Sequence, residues 1–434
     1  MTSSTADKAG SNGAGPRPLD GILVADFSWF GAGPIAGRTL ADFGAEVVRM
    51  ESEVKVDSLR ITQPIRPGQE GGYNASGYFN NFNAAKLSVL LNMNAERAQE
   101  VAYRVVERCD VFLTNHTPRV IEKWGLGYEK LREINPTIVA AYQPMQGVEG
   151  PHKDFLGFGA VLTPISGISH LSGNPEQPPF GVGTNYPDYA INPGHTVIAI
   201  LAALRHRERT GEGQMIELAQ IESVAATLGP ALLDYAVNGR VAIRQGNWSE
   251  WMAPHGTFRG EDETRSHPAL AGQSEKRQRW IAIAVRNDAE WDGLLAVAGA
   301  APFTTDDRFS TILGRKRYES ELNEAISAWV SALDAKELAE QLQAAGVPAS
   351  LVQDAEDVLD RDEHLQARGY HRYLDHAETS VSVYDGPIVK LHGTPGELAA
   401  PAPLIGEQTF DVATRILGYS EEDVAELVAS GVLT

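Results

Sequence analysis

The spacing of apolar and polar positions changes period again and again over the first two hundred residues. Residues 21–27 (GILVADF) form a mostly apolar run of the length of a buried strand. Pro34 can open a helix, because its missing N–H would have no partner in a first turn. Residues 35–43 then have helical spacing, stopped by Gly44, and residues 45–50 (AEVVRM) read as a second apolar strand. Strand, helix and strand in this space make a βαβ unit and hence a parallel pair. The theme recurs. Residues 87–91, 110–115 (DVFLTN) and 137–143 (TIVAAYQ) are strand-like, with helical spacing at 95–108, 120–124 and 129–134. Residues 195–209 predict a long helix ended by Thr210-Gly211-Glu212-Gly213, followed by a strand at 214–218 and a helix at 221–236. This alternation predicts an α/β fold, a doubly wound Rossmann-like domain.

The character then changes. Residues 240–278 are irregular and polar, and 260–277 read as a surface insertion. A strand at 280–285 (WIAIAV) opens a second domain, with helical spacing at 289–299, 318–332 and 335–345. Residues 386–390 (GPIVK) and an amphipathic stretch at 411–431 carry α/β signals again. The organisation expected is a disordered tail over 1–18, a large α/β domain over 19–229, a smaller α+β domain over 230–345, and a linker over 346–434 that returns to the large domain.

Composition narrows the function classes. The chain has 434 residues, 43% of them hydrophobic, enough for a large core. No apolar run approaches the roughly 20 residues that span a bilayer, and the first 18 residues lack the apolar centre of a signal peptide, so a cytoplasmic location and no membrane partner are expected. Cys109 is the single cysteine, which rules out an intrachain disulfide and a multi-cysteine zinc site; no metal is expected. A net charge of −20 argues against a broad basic footprint for nucleic acid, although a few local cations suffice to hold phosphates.

Gly31, Gly33 and Gly37 lie between a predicted strand and helix, with Glu51 ending the next strand. That arrangement is similar to a dinucleotide fingerprint, in which glycines admit a pyrophosphate and an acid holds the ribose. It keeps a nicotinamide-binding oxidoreductase open as an alternative, against a plain tight βα turn. No convincing acid–base pair for hydride transfer follows downstream.

Several co-linear stretches say more. They are PLDGILVADFSWFGAGPIAGRTLADFGAEVVRMES (18–52), YFNNFNAAKLSVLLNM (78–93), DVFLTNHTPRVIEKWGLGYEKLREINP (110–136), ISGISHLSG (165–173), YPDYAINPGHTVIAILAALRHRERTGEGQMIEL (186–218) and AAGVPASLVQDAEDVLDRDEHLQARGY (344–370). Together they resemble the class III CoA-transferase family, which includes formyl-CoA, carnitine and benzylsuccinate-type CoA-transferases. The resemblance implies a large α/β domain built from both chain ends, a smaller middle domain, and an interlocked homodimer. It implies an acyl-CoA:carboxylate CoA-transferase whose substrates are an acyl-CoA and a free carboxylic acid, with no tightly bound cofactor. Asp188 lies just ahead of the long helix that leads to Arg207-Glu208-Arg209-Thr210-Gly211-Glu212-Gly213-Gln214, and the resemblance nominates it as the nucleophile. On the residues alone it is an Asp in a Tyr-Pro-Asp turn.

A carboxylate that attacks a thioester forms a mixed anhydride. The site must then exclude water and aim N–H donors at the tetrahedral oxyanion, which glycine-rich backbone suits. For CoA itself the resemblance points to Phe30, Gly31, Asn83, Lys86, Asn115, His116 and Lys123, with Arg49 and Arg205 as further phosphate partners. Trp248, Trp251 and His255 are the expected lining of the acyl pocket, in the place where relatives carry a glycine-rich loop not recognisable here. The family often has an acid where this chain has Gly159. An alpha-methylacyl-CoA racemase on the same fold is a further alternative, but it needs a His–Asp pair where this chain has Phe158 and Gly159, which cannot move protons. An aromatic-rich loop and the missing acid imply an acyl group bulkier than formate or oxalate, of the aryl-succinate kind.

Overall fold

The computed structural model describes residues 16–69, 71–183, 185–266 and 274–434. The expected tail therefore lies outside the described residues as far as residue 15, as do residues 267–273 of the expected insertion. The elements that shape the site are β1 (Leu23–Asp26), α1 (Ala32–Asp42), β2 (Glu46–Glu51), α2 (Gly77–Asn83), β3 (Leu87–Leu90), α3 (Ala98–Arg108), β4 (Val111–Thr114), β5 (Val139–Tyr142) and β6 (Gln214–Glu217). The six strands form one wholly parallel sheet in the order β3-β2-β1-β4-β5-β6. The strand order reverses between β1 and β4, and doubly wound sheets bind ligands outside the carboxyl ends of their strands at that point.

Side chains alternate across a strand, so each strand feeds two cores. Ala25, Val48, Phe112 and Ala140 face a cluster completed by α3 and by Val412, Leu417, Val424 and Leu427. Val24, Val47, Val111 and Val139 face the other, completed by Leu40 of α1 and by Ile200 and Leu204 of the helix Asn192–Thr210. Both faces are covered, which is why the strands read as unbroken apolar runs.

The described chain divides into two compact units, one of Met1–Ser169, Gly181–Ala242 and Glu363–Thr434, the other of His170–Phe180 and Ile243–Asp362. In the second unit the strand Trp280–Ala284 pairs antiparallel with His255–Arg259 and Ala349–Leu351. Its core gathers Ile281, Ile283, Leu294, Leu322, Ile326, Leu338 and Leu342. No helix among the described residues is long and apolar enough to cross a membrane.

Two local expectations change. The helix expected over 221–236 is two helices, Gln220–Ala226 and Gly229–Asn238, because Pro230 can donate no helical hydrogen bond and suits only a first turn. The strand-like GPIVK is a loop, since Pro387 cannot donate to a ladder; the strands lie just before it, in the hairpin His371–His376 with Ser380–Asp385.

Under the sheet's carboxyl edge sits a charge network with almost no solvent contact. The side chains of Asp26, Arg49, Glu51, Asp57, Arg60 and Lys86 are all at most 1% exposed. Three cations face three carboxylates. Arg60 grips Glu51 with two bonds of 2.7 Å and lies 3.7 Å over the ring of Phe79. A buried carboxylate stripped of its cation is strongly destabilising. Arg60→Met is expected to cost about 3–5 kcal/mol in urea unfolding, with Arg60→Met/Glu51→Met recovering most of it; a single-variant loss below about 1 kcal/mol would count against the network as described.

Candidate active site at the carboxyl edge of the sheet

In the loop that leaves β1, Ser28, Trp29 and Phe30 are each bonded to a side chain. Ser28 donates its N–H to Asp26 Oδ1 at 2.9 Å, and its carbonyl accepts from Arg49 Nη1 at 2.9 Å. Trp29 donates to Asn115 Oδ1 at 2.9 Å and accepts from Asn115 Nδ2 at 2.7 Å. Phe30 donates to Asp57 Oδ2 at 3.2 Å. These bonds hold Phe30 at φ +60°, a left-handed conformation that a bulky residue avoids at a cost of about 1–3 kcal/mol. The turn sets Gly31 against Asp188: a Cβ on Gly31 would stand 3.0 Å from Asp188 Cβ.

Asp188 sits on the π-helical turn Pro187–Ile191 that runs into the helix Asn192–Thr210. It is 5% exposed, and its Oδ2 accepts the Gly159 N–H at 2.9 Å. Burial pushes its pKa up to about 6, against the single favourable bond from Gly159. A Cβ at position 159 would lie 2.5 Å from Asp188 Oδ2 and 2.8 Å from Asn185 Cβ, so Gly159 is the residue this close approach requires. Aromatic residues flank the two glycines and the turn that meet at Asp188. Phe30 and Phe158 stack at 5.5 Å with 3° between planes, and Tyr189 meets Tyr78 edge-on at 5.9 Å and Phe82 at 5.3 Å. The Tyr78 hydroxyl is bonded to Asn185 and lies within the field of Asp188; burial first, then that charge, raises its pKa.

Sequence reasoning passed over Tyr78, Asn185 and Tyr189 and read Gly159 only as a lost acid. The available signal was Tyr78 and Phe82, one helical turn apart and so on one face of α2. Of the residues it did name, Phe30, Gly31 and Asp188 come together, with Asn115 bonded to the same loop. Asn83 and Lys86 lie beneath it, fully buried. Lys86 Nζ has three acceptors, Asp26 at 2.8 Å, the Pro34 carbonyl at 2.8 Å and Asn83 at 2.9 Å, and burial lowers its pKa to about 8. His116 stands edge-on between Trp29 and Trp124, and burial, then Lys55 and Arg49, lower its pKa to about 4, so it is neutral near pH 7. Lys123 is exposed and reaches Asn94 at 3.2 Å, and exposed Arg205 pairs with Glu208 at 2.9 Å, while Arg49 is enclosed in the charge network. Trp248, Trp251 and His255 belong to the second unit. There Trp248 Nε1 donates to Glu319 at 2.8 Å, Trp251 is 70% exposed, and the His255 ring bonds the Asn247 carbonyl at 2.6 Å.

The glycine fingerprint is corrected by the same geometry. A Cβ on Gly33 would stand 2.2 Å from Ser28 Cβ, and one on Gly37 3.1 Å from Asp26 Oδ2 and 3.2 Å from Lys86 Nζ. These glycines make room for the protein's own side chains, and Glu51, the expected ribose ligand, is closed off by Arg60. At Phe158-Gly159 the structure offers a ring and an N–H, with no side chain able to carry a proton. No cluster of three or more His, Cys, Asp or Glu suited to a metal occurs among the described residues.

A wholly parallel, doubly wound sheet, with a buried carboxylate backed by a glycine N–H beside the loop after its first strand, defines a protein of the α/β class. The chain belongs to CoA-transferase family III, whose model matches residues 19–409. It is 29% identical to the succinyl-CoA–D-citramalate CoA-transferase of Chloroflexus aurantiacus over 96% of this chain and 98% of that one. It is 30% identical to the succinyl-CoA:mesaconate CoA-transferase of Haloarcula marismortui over 91% and 95%. A crystal structure of a CAIB/BAIF family protein from Brucella suis matches with a TM-score of 0.80 at 26% identity, covering 93% of this chain and 100% of that one.

Raising the Asp188 carboxyl from 3.8 to about 6 penalises its ionised form by about 3 kcal/mol. The folded state binds this proton more tightly than the unfolded chain, so stability from this group falls as pH rises from 3.8 to about 6, and the full penalty stands above that. Asp188→Asn is therefore expected to melt at a higher temperature than the parent at pH 7.5, with the gap closing toward pH 4. Equal melting at pH 7.5 would rule out the strained carboxylate.

Proposed function

We propose that the chain transfers CoA between two carboxylic acids with Asp188 as nucleophile. The observation that supports this best is a buried carboxylate held by one N–H, its pKa set by burial and that bond alone. Little solvation and no paired cation among the described residues leave such an oxygen reactive. The Asp188 carboxylate attacks the acyl-CoA carbonyl, the C–S bond breaks, and CoA leaves as thiolate with a mixed anhydride formed. The thiolate attacks the Asp188 carbonyl carbon, releasing the first acid and leaving CoA as a thioester on Asp188. The second acid's carboxylate attacks that thioester and expels the thiolate again. Attack of the thiolate on the new anhydride's acyl carbon gives the second acyl-CoA and restores Asp188. The Gly159 N–H is aimed at an Asp188 oxygen that is charged in the free carboxylate and charged again when thiolate or carboxylate adds to the Asp188 carbonyl carbon, the setting in which a fixed donor contributes most. Phe30, Phe158, Tyr78 and Tyr189 shield the anhydride from water.

The relatives' names support an acyl-CoA donor and a carboxylate acceptor. A CoA substrate and the lone thiol of Cys109 suit a reducing, cytoplasmic compartment. The same reading includes a homodimer. The helix Gly229–Asn238 buries none of its residues, although Leu232, Leu233, Tyr235 and Val237 are all more than half exposed. A second copy is the cover that suits an apolar face of this kind. Leu233→Lys/Val237→Lys is expected to shift the dimer to monomer in analytical ultracentrifugation.

The primary test is mass spectrometry of the protein incubated with a panel of acyl-CoAs and trapped with hydroxylamine. Modification is expected on the peptide containing Asp188 and absent from Asp188→Ala. Modification elsewhere, or none with any ester, would overturn the mechanism. Gly159→Ala, which must push Asp188 aside, is expected to lower kcat by about 100-fold with the fold intact.

A further inference from the structure

We infer that Asn192 is a positioning residue for Asp188: its buried amide locks the π-helical turn that presents the carboxylate to the Gly159 N–H. A role for that lock in the reaction rests on the transfer reading above. The turn needs a lock because the sequence denies it ordinary helical bonds. Pro193 has no N–H to give the Tyr189 carbonyl, and its ring crowds that carbonyl, so an uninterrupted α-helix is not open to this stretch. Asn192 instead sends its N–H to the Pro187 carbonyl, five residues back. Such single π turns are rare and recur at functional sites. A slip of one residue would swing Asp188 about 100° around the helix axis, away from Gly159.

The Asn192 side chain is fully buried, and both ends of its amide are used. Nδ2 donates to Gln220 Oε1 at 3.1 Å, and Oδ1 accepts from the Ser223 hydroxyl. Gln220 Nε2 donates in turn to the Gln143 carbonyl at 2.7 Å. The Thr196 hydroxyl closes the ring, 2.9 Å from the Asn192 carbonyl and 3.1 Å from Gln143 Oε1. All five residues are at most 9% exposed. Of their amide ends, only Gln143 Nε2, beside Gly33, has no partner among the described residues. Gln143 directly follows β5, and its N–H bonds the Thr114 carbonyl of β4 at 2.9 Å, so the ring is anchored to the sheet. Out of water, each broken bond strands a buried partner, and the ring therefore favours one arrangement of the turn.

The melting gap between the parent and Asp188→Asn at pH 7.5 reads how tightly the turn encloses the carboxylate, and it needs no substrate. Asn192→Ala is expected to shrink that gap by at least about twofold, because a loosened turn lets water reach Asp188. A purely structural loss lowers both melting temperatures alike and leaves the gap as it was. Thr196→Val removes one hydroxyl from the ring and keeps the side chain's shape; it is expected to narrow the gap in the same direction, and it carries the test where Asn192→Ala does not fold. In the adduct assay, with the ester that labels the parent fastest, Asn192→Ala is expected to slow saturated labelling of Asp188 about tenfold with the half-saturating concentration unchanged. A parent with no gap, a gap that neither variant narrows, or labelling that is not slowed overturns the inference. A gap that narrows in a chain that no ester labels supports the positioning of Asp188 and overturns the transfer reading alone.

Discussion

The loop that leaves β1 hangs on a small block of charge buried at the point where the parallel sheet reverses. Asp26, Arg49, Asp57 and Lys86 neutralise one another out of reach of water, and their spare bonding capacity goes to backbone. Arg49 takes the Ser28 carbonyl, Asp57 the Phe30 N–H, and Lys86 the Pro34 carbonyl. Burial alone would raise Asp26, but Lys86 and Arg49 outweigh it and hold its carboxyl below the usual range. For Asp57, burial wins and the carboxyl is raised. A loop pinned at this many points has one conformation available, which is how Phe30 is kept left-handed and Gly31 is brought against Asp188.

The glycines gain their meaning from this block. In a nucleotide-binding turn they would clear space for a diphosphate; here Gly33 clears it for Ser28 and Gly37 for the Asp26–Lys86 pair. A fingerprint defined by absent side chains cannot say what fills the gap. Gly159 follows the same logic beside Asp188, where the lack of a side chain lets its N–H reach the buried carboxylate.

The parallel sheet was legible because burial on both faces makes each strand a continuous apolar run. β1 through β6 lie within one or two residues of the expected strands. Asp26, Arg49 and Glu51 were visible as charges inside those runs, but pairing at the ends of parallel strands is a three-dimensional fact with no local signature. Asp188 came from resemblance; its own turn gave no pattern. The hairpin His371–His376 with Ser380–Asp385 was missed because its strands mix charged and apolar residues on exposed faces. The segment His170–Phe180 joins the second unit although it lies far from the rest of that unit in sequence. Periodicity cannot report a contact of that kind.

One face of the sheet is closed by residues distant from it along the chain. Val412, Leu417, Val424, Leu427 and Leu433 complete the cluster around Ala25, Val48 and Phe112, and the Val432 carbonyl accepts from Asn92 N–H just beyond β3. All six strands leave the ribosome roughly two hundred residues before that cover does, a wait on the order of ten seconds or more at ordinary rates of synthesis. Throughout that interval the part of the apolar face that α3 does not cover stands open, vulnerable to aggregation and available to chaperones. Late folding is thus built into the order in which the sequence is read out.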